Sequence, residues 1–378
     1  MKIGILTLPL HTNYGGILQA YALQTVLKRM GHEVYVFDII EKPLPGILTK
    51  CIKYPYRFIK KYLLGHKEQI INIEEYSSEI RPIIHQNTTK FISKYIRFHK
   101  TDYFRDIHEG EFDAIIVGSD QIWRPISAQN LMDTITHSYL DFAEGWNIKR
   151  ISYAASFGTD KWEYSNRQTK ICKRLVSCFD GVSVREKSGI DLCSKYLGYN
   201  DAKYVLDPTL LLNDEDYDIL YKNNSVKSPG NLMCYVLDDT SEKSLIISQV
   251  SNCLNKKVFR TNSKVENFYA PLEERIQPPV EQWLRGFRDA DFVITDSFHA
   301  CVFSIINKKD FIVIGNKERG LARFESLLGE LGLSNRMISS SEDITDELLN
   351  QHIDFTSVEA KINALRTESF NYLSDKLS

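Results

Sequence analysis

At 378 residues the chain exceeds one comfortable hydrophobic core and suits two domains of similar size. Apolar content of 43% with 25% charged residues is ordinary for a globular protein, and a formal net charge of −2 gives no electrostatic case for nucleic acid. Seven cysteines without a CxxC pair argue against both a disulfide scaffold and a zinc site, so no metal ligands are expected and a reducing cytoplasm suits the chain. MKIGILTL starts a strand rather than a signal peptide, and no apolar run reaches the length of a membrane span.

Residues 2–8 read as the first strand and residues 17–30, ILQAYALQTVLKRM, as a helix closed by Gly31. Between them PLHTNYGG puts two glycines just before the helix, where a doubly wound fold lets its backbone approach a ligand. GxGxxG is absent, so Asn13, Gly15 and Gly16 form either a polar binding loop of another kind or a plain tight turn. Residues 33–40 give a second strand. Residues 43–100 are polar, aromatic and helical in pattern without a clean strand, and are expected to be a helical insertion. Their basic cluster from Lys42 to Lys67 reads either as a solvated helix face or as an amphipathic segment touching an anionic membrane.

In FDAIIVGSDQIW, residues 112–123, an apolar strand runs into Gly118, Ser119 and Asp120, a strand end offering a hydroxyl and a carboxylate. Trp123 close behind is either a core filler or a platform for a sugar ring. Two further strands follow at 150–157 and 180–184. Arg185 sits where the second of them yields to a helix, and its planar fork suits a carboxylate or phosphate, or else an ion pair. Residues 203–212, KYVLDPTLLL, read as the last strand of a first domain spanning 1–212, with Asp207-Pro208 at its tip.

Residues 213–230 are polar and form the expected linker. From 231 to 378 a new alternation starts: strand 232–237, helix 241–254, strand 257–260, helix 280–290, then DFVITDSFHACVFSIIN at 291–307 and a strand at 311–314. The stretch 291–307 is strand, polar corner and helix, the place where open α/β folds hold ligands and where free N–H groups and the helix dipole attract anions. His299, in the first helical turn, is expected to meet a phosphate or carboxylate there; alternatively Asp296 or Ser297 only caps the helix and His299 is a hydrogen-bonded surface residue. In the next loop, GNKERG, Lys317 can converge with His299 on one anion, because neighbouring loops share a sheet edge. Arg323 follows one turn into the next helix.

NYGGILQAYAL, VGSDQIW, VSVRE, LDPTLLL, TDSFHA and IGNKERGLARF, in this order over nearly the whole chain, resemble the polysaccharide pyruvyl transferase family. The resemblance implies two Rossmann-like parallel-sheet domains facing across a cleft, in the manner of the glycosyltransferase-B fold. It also implies phosphoenolpyruvate as donor and, as acceptor, a sugar diol of a surface polysaccharide or its lipid-linked precursor, joined as a pyruvate ketal with release of phosphate. By motif, Arg185, His299 and Lys317 match residues that bind the donor, and Ser297 and Arg319 are expected beside them. His299, Arg185 and Asp120 are the expected catalytic groups, Asp120 as base on an acceptor hydroxyl. Asn13, Gly15, Gly16, Ser119 and Trp123 are the expected acceptor contacts.

No cofactor is expected beyond phosphoenolpyruvate as co-substrate, with magnesium on its phosphate left open. The last helix is expected to pack back on the first domain, and the protein to work in the cytoplasm with peripheral contact at the inner membrane surface. Two rival readings are a nucleotide-sugar-dependent glycosyltransferase, which shares architecture and acceptor class, and a non-catalytic ligand-binding protein of a polysaccharide assembly complex.

Overall fold

The computed structural model describes residues 1–39, 47–63, 71–127, 134–223, 225–315 and 320–378. The strands, the central ones continuous apolar runs buried on both faces as parallel sheets between helix layers require, number twelve among the described residues. They are β1 (Lys2–Leu6), β2 (Glu33–Ile39), β3 (Phe98–Thr101), β4 (Ala114–Val117), β5 (Lys149–Ser152), β6 (Ser183–Val184), β7 (Lys203–Tyr204), β8 (Leu232–Tyr235), β9 (Val258–Arg260), β10 (Phe292–Thr295), β11 (Asp310–Ile314) and β12 (Met337–Ile338). One parallel sheet has the order β3-β2-β1-β4-β5, and a second the order β12-β11-β10-β8-β9. The short pair β6-β7 extends the first sheet through bridges Ile151–Gly181 and Ala155–Val184.

Local chemistry accounts for where the helices start and stop. Helix Ser241–Leu254 is capped by the Thr240 hydroxyl, which accepts from the Lys243 N–H, and ends at Asn255 in the left-handed region at φ 49°. Helix Tyr14–Arg29 is buried along most of its length because it lies between its own sheet and helix Phe298–Ile306 of the second half. Tyr14 reaches across, its hydroxyl donating to the Pro278 carbonyl at 2.7 Å.

Residues 203–212 do not form one strand. After β7 the chain turns into a 3₁₀ segment, Pro208–Leu211, whose start is capped by Asp207 accepting from the Thr209 N–H. Proline cannot donate to a ladder, so the strand ends before it. Two edge strands lie outside the sequence reading, β3 and β12. β3 (FHKT) is polar and only half-buried, and β12 has two residues, so neither has a periodic signature.

Within the insertion, helices Ile47–Tyr62, Ile73–Ile84 and Gln86–Tyr95 follow β2, and the Ile84 carbonyl accepts from the Gln277 N–H at 3.0 Å. The last helix, Phe355–Leu377, crosses to the first sheet. Its Tyr372 donates to the Ser152 carbonyl at 2.8 Å, and its Ser369 hydroxyl accepts from the Leu206 N–H at 3.0 Å. Among the described residues no helix is long and apolar enough to cross a membrane.

Candidate active site

The two sheets turn their carboxyl ends toward each other. There the loop after β1, the turn after β4 and the corner after β10 enclose a cleft of about 460 Å³ lined by Asn13, Asp120, Arg124, Ser297, His299 and Arg323, with Leu8, Leu237 and Ile126 as its apolar walls. A small ligand and part of a sugar fit a space of this size.

His299 occupies the first turn of helix Phe298–Ile306, only 5% exposed, with its imidazole against the start of helix Tyr14–Arg29. The approach depends on Gly15: a β-carbon there would stand 2.0 Å from His299 Nδ1. Gly15 and Gly16 are buried in the first helical turn; Gly15 admits a side chain of the other half rather than a ligand to the backbone, while Gly16 lies against Asn13 of its own half. Asn13 remains exposed at the cleft, its amide donating to Asp120 Oδ2 at 3.5 Å.

Behind His299 lies a buried ionic cluster. Arg185 Nη1 donates to Asp207 Oδ2 at 2.5 Å and Nη2 to Asp120 Oδ1 at 3.1 Å, while His299 Nε2 stands 3.5 Å from both Arg185 Nη1 and Asp207 Oδ2. A neutral imidazole accepts from the guanidinium in this arrangement, and a protonated one donates to the carboxylate. Burial opposes ionisation of Asp207, but His299 and Arg185 more than reverse it and hold the carboxyl far below the usual carboxylate range. Asp120 is lowered in the same way, burial being outweighed by Arg185, His299 and Arg323. It takes a left-handed backbone, φ 63°, which aims its carboxylate at Arg185. Glu186, fully buried, is pushed the other way by burial, although its Oε1 accepts from the N–H groups of Phe157 and Gly158.

Phe298 carries two guanidinium groups on its ring, Arg185 at 4.7 Å and Arg323 at 5.5 Å from the centroid. Arg323 lines the cleft; burial and the adjacent Arg185 pull its guanidinium down to about 10, so it stays charged at neutral pH. Arg124, also on the cleft, is held by Glu163 through two parallel bonds of 3.1 and 3.2 Å.

Asn13, Asp120, Ser297 and His299 therefore meet at one cleft, but other expected positions differ. Trp123 is a correction: it is fully buried, stacked on Tyr139 at 4.9 Å with its indole N–H on the Ser138 carbonyl, and offers no face to a sugar. Ser119 is also fully buried, its hydroxyl donating to Asp207 Oδ2 at 3.3 Å, away from any acceptor. Arg185, at 2% exposure, stands behind the cleft rather than in it, and touching a ligand directly would require one carboxylate to let go. Asp296 caps nothing: its Oδ2 takes the Lys243 ammonium at 2.7 Å and its Oδ1 the Leu237 N–H at 2.9 Å, tying β10 to the loop after β8. Ser297 makes no side-chain cap and lines the cleft. Lys317 and Arg319 lie outside the described residues.

The sequence reading left Asp207 at a strand tip and gave Arg124 no role. A carboxylate inside the apolar run VLDPTLLL was the available signal, since burying one demands a cation. Among the described residues no group of three or more histidine, cysteine, aspartate or glutamate side chains is disposed to hold a metal ion.

Two parallel Rossmann-like sheets meeting at a cleft define a glycosyltransferase-B-like protein. A protein assigned as a UDP-N-acetylglucosamine 2-epimerase from Listeria monocytogenes shares this fold, with a TM-score of 0.51 at 9% identity over 97% of this chain and 91% of that one. UGT89C1 of Arabidopsis thaliana in complex with UDP-L-rhamnose is similar at a TM-score of 0.48 and 10% identity, covering 98% of this chain and 94% of that one. The chain belongs to the polysaccharide pyruvyl transferase family, whose sequence model matches residues 13–318. No curated protein sequence matches it significantly.

Proposed function

We propose that the protein transfers the pyruvyl group of phosphoenolpyruvate to two hydroxyls of a saccharide, free or lipid-linked, as a cyclic ketal. The observation that carries this reading is the cleft where His299 and Arg323 of the second half face Asn13, Asp120 and Arg124 of the first. A small dianion needs cations from separate elements, and a sugar needs polar partners opposite.

In this scheme Arg323 and the first-turn N–H groups of helix Phe298–Ile306 hold the donor anion, with His299 against its phosphate. Protonation of the methylene carbon turns C2 into an oxocarbenium centre, which the first sugar hydroxyl attacks. The C2–O bond to phosphate then breaks, and the second hydroxyl closes the ring. Of the two hydroxyl protons released, one balances the proton taken by carbon and the other leaves on phosphate. The Asp120 carboxylate, kept ionised by its neighbours, accepts the hydroxyl proton and stabilises the cationic centre. Arg185 acts as a positioning residue, fixing Asp120, Asp207 and His299 relative to one another.

Incubating the protein with phosphoenolpyruvate and candidate saccharides, then reading phosphate release together with the mass of the added ketal, tests the scheme. Binding of sugar nucleotides in place of phosphoenolpyruvate, measured by calorimetry, would move the assignment to a nucleotide-sugar glycosyltransferase.

A further inference from the structure

Helix Ile47–Tyr62 is turned inside out relative to an ordinary surface helix. At 3.6 residues per turn, positions 55, 56, 58, 59, 62 and 63 fall on one side and 53, 54, 57, 60 and 61 on the other. The first side is apolar and faces solvent: Tyr56, Phe58, Ile59, Tyr62 and Leu63 are between 46% and 74% exposed, and the Phe58 and Tyr62 rings touch at 4.6 Å. The second side carries the cations, and there Arg57, Lys60 and Lys61 are partly buried, with Arg57 donating to the Ile71 carbonyl at 3.0 Å. A contiguous apolar patch of this kind normally has a cover.

Charge tells what the cover is. The helix holds Lys50, Lys53, Arg57, Lys60 and Lys61 and not one carboxylate, in a chain whose overall charge is −2. Long lysine and arginine stems lie along an apolar face and lift their charges to its margin, where acidic headgroups stand when rings and aliphatic chains enter a bilayer. A second copy docked on this face would bring its own Lys60 and Lys61, which flank the apolar arc, beside these, which disfavours a symmetric dimer there.

We propose that helix Ile47–Tyr62 docks the protein on an anionic membrane surface, with Tyr56, Phe58, Ile59, Tyr62 and Leu63 entering the headgroup boundary. The docking deepens the transferase reading by favouring a lipid-linked acceptor, but it stands on the helix alone.

The test is co-sedimentation of the full chain with phosphatidylcholine vesicles and with equimolar phosphatidylcholine–phosphatidylglycerol vesicles. Neither donor nor acceptor is needed, so failure here leaves the reaction assignment untouched, and failure of the reaction leaves this result standing. Binding to the anionic vesicles is expected to be at least about tenfold tighter and to fall with added salt. Replacing Phe58, Ile59 and Tyr62 by serine together is expected to weaken it by about a hundredfold, and Lys60→Glu with Lys61→Glu by about tenfold. If the serine variant melts early, the lysine pair alone decides. Equal uptake by both vesicles, full binding of either variant, or a dimer that the serine changes dissolve while vesicles take up nothing would each overturn the proposal.

Discussion

The guanidinium of Arg185 and the imidazole of His299 belong to different domains yet stand 3.5 Å apart, with one oxygen of Asp207 within reach of both. A guanidinium and a protonated imidazole at that distance would repel unless a carboxylate lay within reach of both. Asp207 supplies it from the first domain, so the interdomain arrangement and the electrostatics of the histidine depend on the same three side chains.

Removing Arg185 should therefore cost stability as well as activity. Arg185→Ala leaves Asp120 and Asp207 buried without their shared cation, and the expected loss is about 3–5 kcal/mol in denaturant unfolding. Phosphate release from phosphoenolpyruvate should vanish with it. His299→Ala, by contrast, should abolish release with a loss of only about 1 kcal/mol. An Arg185→Ala protein that unfolds like its parent would mean that the buried cluster does not hold the cleft together.

Gly15→Ala tests how closely the halves approach. The added methyl would stand 2.0 Å from His299 Nδ1, so the imidazole or the helix start must move. Overpacking of this kind costs about 1–3 kcal/mol, while displacing the imidazole by about an ångström is expected to lower turnover by about a hundredfold. Steady-state rates on purified variant and parent decide it. Unchanged turnover would place His299 outside the chemistry.

Much of the architecture was legible because both sheets are parallel and covered on both faces. AIIV in β4 is an unbroken apolar run, and LMCY in β8 and FVIT in β10 are largely apolar runs followed by helices. Where burial is partial the signal fades, as in β3, and Pro208 divides an apolar run that composition alone presents as one strand. At the site, the chemistry of each corner was readable but its depth was not. VGSD, VRE and SFHA mark strand ends, yet whether Ser119 or Arg185 faces the cleft or the carboxylate of Asp207 is decided by packing between residues far apart in the chain. Trp123 fails for the same reason, since an indole reads alike whether it lines a cleft or stacks on Tyr139. Gly15, in the first helical turn, did report a need for space, but the occupant is His299 of the other half.

The buried carboxylates set an acid limit. Asp207 and Asp120 have folded-state values depressed below their unfolded value of about 4, so the stability they contribute is present above that pH and is lost as pH falls toward the folded values. Glu186 has the opposite sign: its folded value is raised, so its contribution is present at low pH and is lost as pH rises through that value. Unfolding free energy measured from pH 6 to pH 3 should fall overall, and Asp207→Asn should flatten the descent while Glu186→Gln steepens it. A parent protein equally stable across the range would contradict the ionised state of the cluster.

Arg323 offers the sharpest separation of binding from architecture. It lines the cleft on the same aromatic ring that supports Arg185, from the first turn of helix Ala322–Leu331. If it holds the donor anion, Arg323→Leu removes charge-assisted hydrogen bonds worth about 1.5–3 kcal/mol, which is about a tenfold to hundredfold rise in KM for phosphoenolpyruvate. Arg323→Lys, a point charge without the fork, should recover only part of the loss. A merely structural arginine would instead lower the melting temperature and leave KM unchanged. Initial rates over a range of donor concentrations, paired with thermal melts, distinguish the two, and an unaltered KM in a stable Arg323→Leu protein would remove this residue from the donor site.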